Sequence, residues 1–276
     1  YRHLELYFGV SGSGRVLHTL NPRLHPDQIT WIVGHAEDTV LCFDMTFLPL
    51  VQKVHAQCKT IRHYVALCDA TALPSDTGIP NLVSYEDWVN QHPDTYDWPE
   101  LDENTASSMC YTSGTTGNPK GVLYSHRSTY LHTFGAMTVD SLGARESDTI
   151  LPVVPMFHAN AWGLAHAAVA CGANLVMPGP DLSGKAIANL IVDEKVTVAA
   201  GVPINWVQFH SQLDLTADSA KRLVAALEAE GVQGAPMPAI TDESNIIDVE
   251  ARVVEETVGP QVAALPVPQV QRLEKH

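Results

Sequence analysis

The sequence predicts an α/β fold of layered, mostly parallel sheets with flanking helices. Short β-branched and apolar runs recur along it, at 39–43, 61–67, 149–154 and 196–199. Between them lie longer stretches with apolar residues three and four apart, such as Ile29, Ile32 and Val33, or Leu48, Val51 and Val54. Alternating strands and helices build parallel pairs whose faces are covered. The 276 residues are 45% apolar, enough for one large domain or two small ones.

Leu4, Leu6, Tyr7, Phe8 and Val10 precede Gly12 and Gly14. They read as a helix that breaks at the glycines, with a strand resuming at Val16 and Leu17. Residues 21–23 are a turn. The helix after His25 carries Pro26 in its first turn, where a missing N–H costs little. Residues 39–43 read as a buried strand, 47–58 as a helix and 61–67 as a strand. Residues 69–80 turn to Pro, Ser, Thr and Gly and read as a surface loop. A short helix spans 85–90. Residues 92–104, with two prolines and five acidic groups, form an exposed approach to a glycine-rich loop.

Residues 106–110 and 122–124 read as strands around that loop, and 125–128 as a helix cap. Helices then fall at 128–139, 164–170, 182–194 and 203–213. Strands fall at 149–154, 174–177 and 196–199. Past residue 215, Thr216 caps a helix striped by Ala220, Leu223, Val224 and Leu227 and closed by Gly231. An acidic linker (234–245), a short helix or strand (246–258) and a proline-containing end complete the chain. The domain reading is therefore 1–213 and a helical, proline-rich acidic tail, 214–276.

The net charge of −15 argues against a nucleic-acid partner. The five cysteines are scattered without a CxxC pair, which predicts free thiols and a reducing, cytoplasmic setting. No apolar run is long enough to cross a bilayer. The thirteen histidines show no metal-ligand spacing, so no dedicated metal site is expected. The chain begins with Tyr1 and reads as a piece of something longer or as a processed product. A piece cut this way would expose sheet edges and self-associate.

Residues 111–121 read YTSGTTGNPKG, with three glycines, four Ser/Thr hydroxyls, one proline and one lysine. A tight glycine loop between two strands gathers backbone N–H groups around a small volume, and such a nest binds anions, usually phosphate. Ser113, Thr115 and Thr116 add hydroxyl donors, and Lys120 adds a mobile charge. The Walker pattern does not fit, because Lys120 follows Pro119 and precedes Gly121. A second string, PMFHANAWG at 155–163, sets His158 and Asn160 among apolar and aromatic residues. Read alone, His158 is better taken as a satisfied core histidine, and Trp162 equally well as a core aromatic.

Together the strings resemble the adenylate-forming (AMP-binding) superfamily of acyl-CoA synthetases, luciferases and peptide-synthetase adenylation domains. The chain is most similar to bacterial medium- and long-chain fatty-acyl-CoA ligases, over residues 1–213. The resemblance implies part of that family's large N-terminal domain. It also implies ATP, Mg2+, CoA and a small carboxylic acid as partners. The acid would attack the α-phosphate of ATP, and a thiol would then displace AMP. Thr112, Ser113, Gly114, Thr115, Thr116, Gly117 and Lys120 would hold the phosphates. Phe157, His158, Asn160 and Trp162 would line the acyl pocket, with Lys120 and His158 closest to the chemistry. The family's aromatic-Gly-x-Thr-Glu motif, ribose aspartate and C-terminal lysine have no counterpart after residue 213. Two main readings remain, a partial acid–thiol ligase or a truncated remnant that binds anions or acyl chains without turnover, and a third gives the tail after residue 214 a separate activity or partner site.

Overall fold

The computed structural model describes residues 1–112 and 118–201. The chain divides into two compact units. One is Tyr1–Tyr130 with Met156–Asn160, and the other is Leu131–Pro155 with the described residues from Ala161 on.

The first unit holds two three-stranded sheets. Helix α1 (Arg2–Gly12) leads into strand β1 (Leu17–Thr19). Helix α2 (Pro26–Ala36) starts at His25, whose ring accepts the Asp27 N–H while the Gln28 side chain accepts the His25 N–H. This reciprocal cap satisfies two donors that no helix carbonyl reaches. Its predicted stripe of Ile29, Ile32 and Val33 is buried. Strand β2 (Val40–Phe43), helix α3 (Leu48–Gln57), strand β3 (His63–Ala66), strand β4 (Leu82–Ser84) and helix α4 (Tyr85–Asn90) come next. Strands β2, β3 and β4 form a parallel sheet in that order. Its core joins Ile29, Val33, Phe43, Val51, Val54, Ile61 and Tyr64. Each such side chain gains roughly 1.5–3 kcal/mol by leaving water.

Two expectations need correction here, and one strand went unexpected. The strand at 39–43 is not buried throughout: Val40 is 42% exposed and only Phe43 is buried. Among the described residues β2 is the edge strand of its sheet, paired on one side only. Strand β4 has no sequence expectation behind it, because three residues are too few to show a period. The loop at 69–80 is not wholly on the surface. Thr77 and Ile79 are buried, and Gln52 Nε2 donates to the Thr77 carbonyl at 2.7 Å.

The second sheet combines β1 with strands β5 (Ala106–Tyr111) and β6 (Gly121–Ser125), in the order β1-β5-β6. Strand β1 runs parallel to β5, and β6 antiparallel. Helix α5 (His126–Met137) begins where Ser125 Oγ accepts the Ser128 N–H at 3.0 Å.

Strand β7 (Thr149–Pro152) is followed by a single turn, α6 (Ala159–Trp162), and then helix α7 (Leu164–Cys171). Strand β8 (Asn174–Leu175), helix α8 (Gly184–Asp193) and strand β9 (Val198–Ala200) complete the second unit's order. Its parallel sheet runs β8-β7-β9. Leu151, Val153, Ile187 and Ala188 form its core. Among the described residues every strand pair except β5–β6 is parallel. The helices expected at 203–213 and 216–231, and the tail beyond them, lie outside the described residues.

Candidate functional site

The glycine-rich string connects two antiparallel strands whose last ladder pair is Tyr111 opposite Gly121. One residue further, the Thr112 N–H donates to the Lys120 carbonyl at 3.0 Å. The Lys120 N–H donates back to Thr112 Oγ1 at 3.2 Å. Pro119 has no N–H to satisfy and is buried beside this closure. The side chains of Thr112 and Lys120 are exposed. Two candidate phosphate ligands therefore leave the sheet side by side. Ser113, Gly114, Thr115, Thr116 and Gly117 lie outside the described residues. Gly121 is favoured for a local reason. A Cβ there would stand 3.1 Å from Cζ of Tyr111, closer than ordinary contact.

Residues 156–160 are tied to one face of the β1-β5-β6 sheet. The Tyr7 hydroxyl donates to the Met156 carbonyl at 2.6 Å, and Thr19 Oγ1 donates to the Phe157 carbonyl at 3.5 Å. Burial drives the Tyr7 hydroxyl far above the ordinary tyrosine value, so it stays a neutral donor. Asn160 is buried and uses both ends of its amide. Nδ2 donates to Ser108 Oγ at 2.8 Å, and Oδ1 accepts from Cys110 Sγ at 3.5 Å. Phe157 is half-buried and His158 is exposed. The segment is thus held by its carbonyls and by Asn160, which leaves the His158 imidazole accessible. Sequence reasoning missed Tyr7, Thr19, Ser108 and Cys110. They stand 50 to 149 residues from their partners, and no local period marks them.

The turn α6 is wound left-handed, with φ of 46°, 52°, 53° and 56° at Ala159, Asn160, Ala161 and Trp162. This conformation costs an L-residue roughly 1–2 kcal/mol. Such strain persists only where the surroundings over-determine it, and it clusters at ligand sites. In the second unit, His132 Nε2 donates to the Trp162 carbonyl at 2.9 Å. Gly163 comes next with φ +74°, and a Cβ there would lie 2.5 Å from Cδ2 of His132. Trp162 itself is half-buried. Among the described residues, no three His, Cys, Asp or Glu side chains gather where they could share a metal ion.

The family model described as "AMP-binding enzyme" matches residues 1–255. The chain is 52% identical over 205 residues to the medium-chain-fatty-acid–CoA ligase of Ectopseudomonas oleovorans, covering 74% of this chain and 37% of that protein. It is 53% identical over 205 residues to the 3-methylmercaptopropionyl-CoA ligase of Ruegeria pomeroyi, covering 74% and 38%. It therefore spans less than two-fifths of the length of these curated relatives. Among solved structures, it is similar to the anthranilate CoA ligase AuaEII in complex with anthranoyl-AMP. The TM-score is 0.63 at 23% identity, over 75% of this chain and 39% of that one. That likeness speaks for the fold.

Proposed function

The chain belongs to the AMP-binding enzyme family, and on that premise we propose that it carries the phosphate loop and part of the acid site of an ATP-dependent acid–thiol ligase. In the first step the substrate carboxylate oxygen bonds to the α-phosphorus of ATP, and the bond to pyrophosphate breaks. In the second, a thiol such as that of CoA attacks the acyl carbon, AMP leaves and the thiol proton goes to solvent. The acid is of the apolar-tailed kind, in line with the names of the two relatives.

The observation that carries this reading is the closure of the loop by Thr112 and Lys120. The carboxylate is already a nucleophile, so the protein must supply placement and charge neutralisation instead of a base. Lys120 brings an ammonium to the loop's end, and the Thr112 hydroxyl orders the backbone beside it. Ser113, Gly114, Thr115, Thr116 and Gly117 complete the phosphate ligands. Phe157 and Trp162 contact the acid's tail, His158 contacts the acyl-adenylate, and Asn160 holds that segment to β5. An Mg2+ ion travelling on ATP would neutralise further phosphate charge when bound. The described residues offer it no carboxylate set, so no step is assigned to it.

The test is pyrophosphate release with Mg-ATP and a series of carboxylic acids, with Lys120→Ala alongside. Acid-dependent release that collapses in the variant is expected. Release indifferent to Lys120 overturns the reading.

A further inference from the structure

The β1-β5-β6 sheet has a second face, and a cluster of side chains gathers on it at the root of the loop. Side chains alternate along a strand, so Met109 and Tyr111 project opposite to Ser108 and Cys110. Strand β1 pairs His18 with Met109, which places His18 beside Tyr111. Their ring centroids are 5.2 Å apart. Helix α2 supplies His35 from its last turn, with Nδ1 at 2.7 Å from the Tyr111 hydroxyl. The His35 ring stacks on Trp31, one turn earlier, at 4.7 Å. Beyond the left-handed cap at Glu37 comes Asp38, whose two carboxylate oxygens meet His18 Nδ1 at 2.8 and 3.0 Å.

The His18 side chain is 5% exposed and that of Asp38 15%. The other ring nitrogen, His18 Nε2, is buried and has no hydrogen-bond partner. A core chosen for stability alone would avoid both an orphaned nitrogen and a desolvated carboxylate. What the pair does achieve is a fixed ring plane, because the Asp38 carboxylate accepts a hydrogen bond from the His18 Nδ1–H and so sets the tautomer. That ring lies against the residue immediately before Thr112. Tyr111 in turn faces Gly121, the residue immediately after Lys120.

We propose that His18, oriented by Asp38, is a positioning residue for the phosphate loop, clamping Tyr111 together with His35 and so setting how Thr112 and Lys120 are presented. It rests on the reading of those two as phosphate ligands. His18 acts through Tyr111 and touches neither nucleotide nor acid.

The test uses the full chain and two readouts. The first is amide hydrogen exchange at Thr112 and Lys120 without nucleotide, in the wild type, His18→Asn, Asp38→Ala and His35→Leu. His18→Asn keeps an N–H for Asp38 and removes the ring from Tyr111. Exchange at both amides rises about fivefold or more in the variants, while the β3 amides keep their protection. The second is pyrophosphate release. The KM for ATP rises about tenfold in His18→Asn with kcat within about twofold, and adding Asp38→Ala costs little more. His35→Gln, whose amide still reaches the Tyr111 hydroxyl, restores the wild-type KM. Unchanged exchange at Thr112 and Lys120 overturns the inference, even if Lys120→Ala still abolishes release and so upholds the ligase reading. Protection lost throughout the unit also overturns it, because His18 would then serve folding alone. If Lys120→Ala leaves the ATP dependence untouched, the ligase reading fails and the clamp's role in nucleotide binding fails with it.

Discussion

Thr112 and Lys120 are joined by two hydrogen bonds across the mouth of one loop, 3.0 Å from the Thr112 N–H to the Lys120 carbonyl and 3.2 Å from the Lys120 N–H to Thr112 Oγ1. The second bond depends on a side chain, so it can be removed alone. Thr112→Val keeps the shape and loses the acceptor, at a cost of about 1 kcal/mol, or about fivefold in ATP affinity. Thr112→Ser stays near the wild type. On the proposed reading Lys120→Ala removes a phosphate donor, and pyrophosphate release falls by about a hundredfold or more. Steady-state kinetics with varied ATP distinguish these variants.

Asn160 links the 155–163 string to β5 through Ser108 and Cys110. Asn160→Ala leaves the Ser108 hydroxyl without this donor and sets an alanine where asparagine tolerates φ > 0 better. A loss of about 1–3 kcal/mol in urea denaturation is expected.

At Ala159, φ of 46° makes glycine the easier residue. Ala159→Gly raises the melting temperature or leaves it unchanged, because relief of strain offsets the added freedom of the unfolded chain. Ala188→Gly, buried inside helix α8, lowers stability by about 1–2 kcal/mol through lost helix propensity and a lost buried methyl. Calorimetry on the pair reads out the difference: a loss at Ala188→Gly and none at Ala159→Gly.

Gly163→Ala fails for two reasons together: φ of +74° and a Cβ 2.5 Å from the His132 ring. A loss of about 2 kcal/mol or more is expected. A melting temperature within about 2 °C of the wild type would contradict this.

His166 is held below the ordinary histidine value of 6.5, by burial first and by His132 second. The folded chain therefore binds fewer protons than the unfolded chain as pH falls through that value. Stability is full above it and declines below. The urea midpoint should be lower at about pH 5.5 than at about pH 7.5, and His166→Gln should flatten that slope.

Most of the elements in this chain are local matters. The His25 cap and the stripe of Ile29, Ile32 and Val33 specify α2 within a dozen residues, and Ser84 and Tyr85 start α4 where the sequence expects a helix. The strand–loop–strand around YTSGTTGNPKG is equally plain, since glycines and hydroxyls at one spacing have few other uses. Strand β4 was not readable, being three residues long, and neither was the exposure of β2, which depends on which strand ends the sheet.

The sequence by itself determined the α/β alternation and the two strings, 111–121 and 155–163, whose resemblance to the family holds, because each is written within a few consecutive residues. Only the tertiary structure decided that Asn160 faces Ser108 and Cys110, that Ala159–Trp162 winds left-handed, and that His18, Asp38 and His35 converge on Tyr111. Those arrangements join residues 20 to 93 positions apart, or impose a backbone that local preference opposes. Packing of distant segments selects them, and no period along the chain encodes that packing.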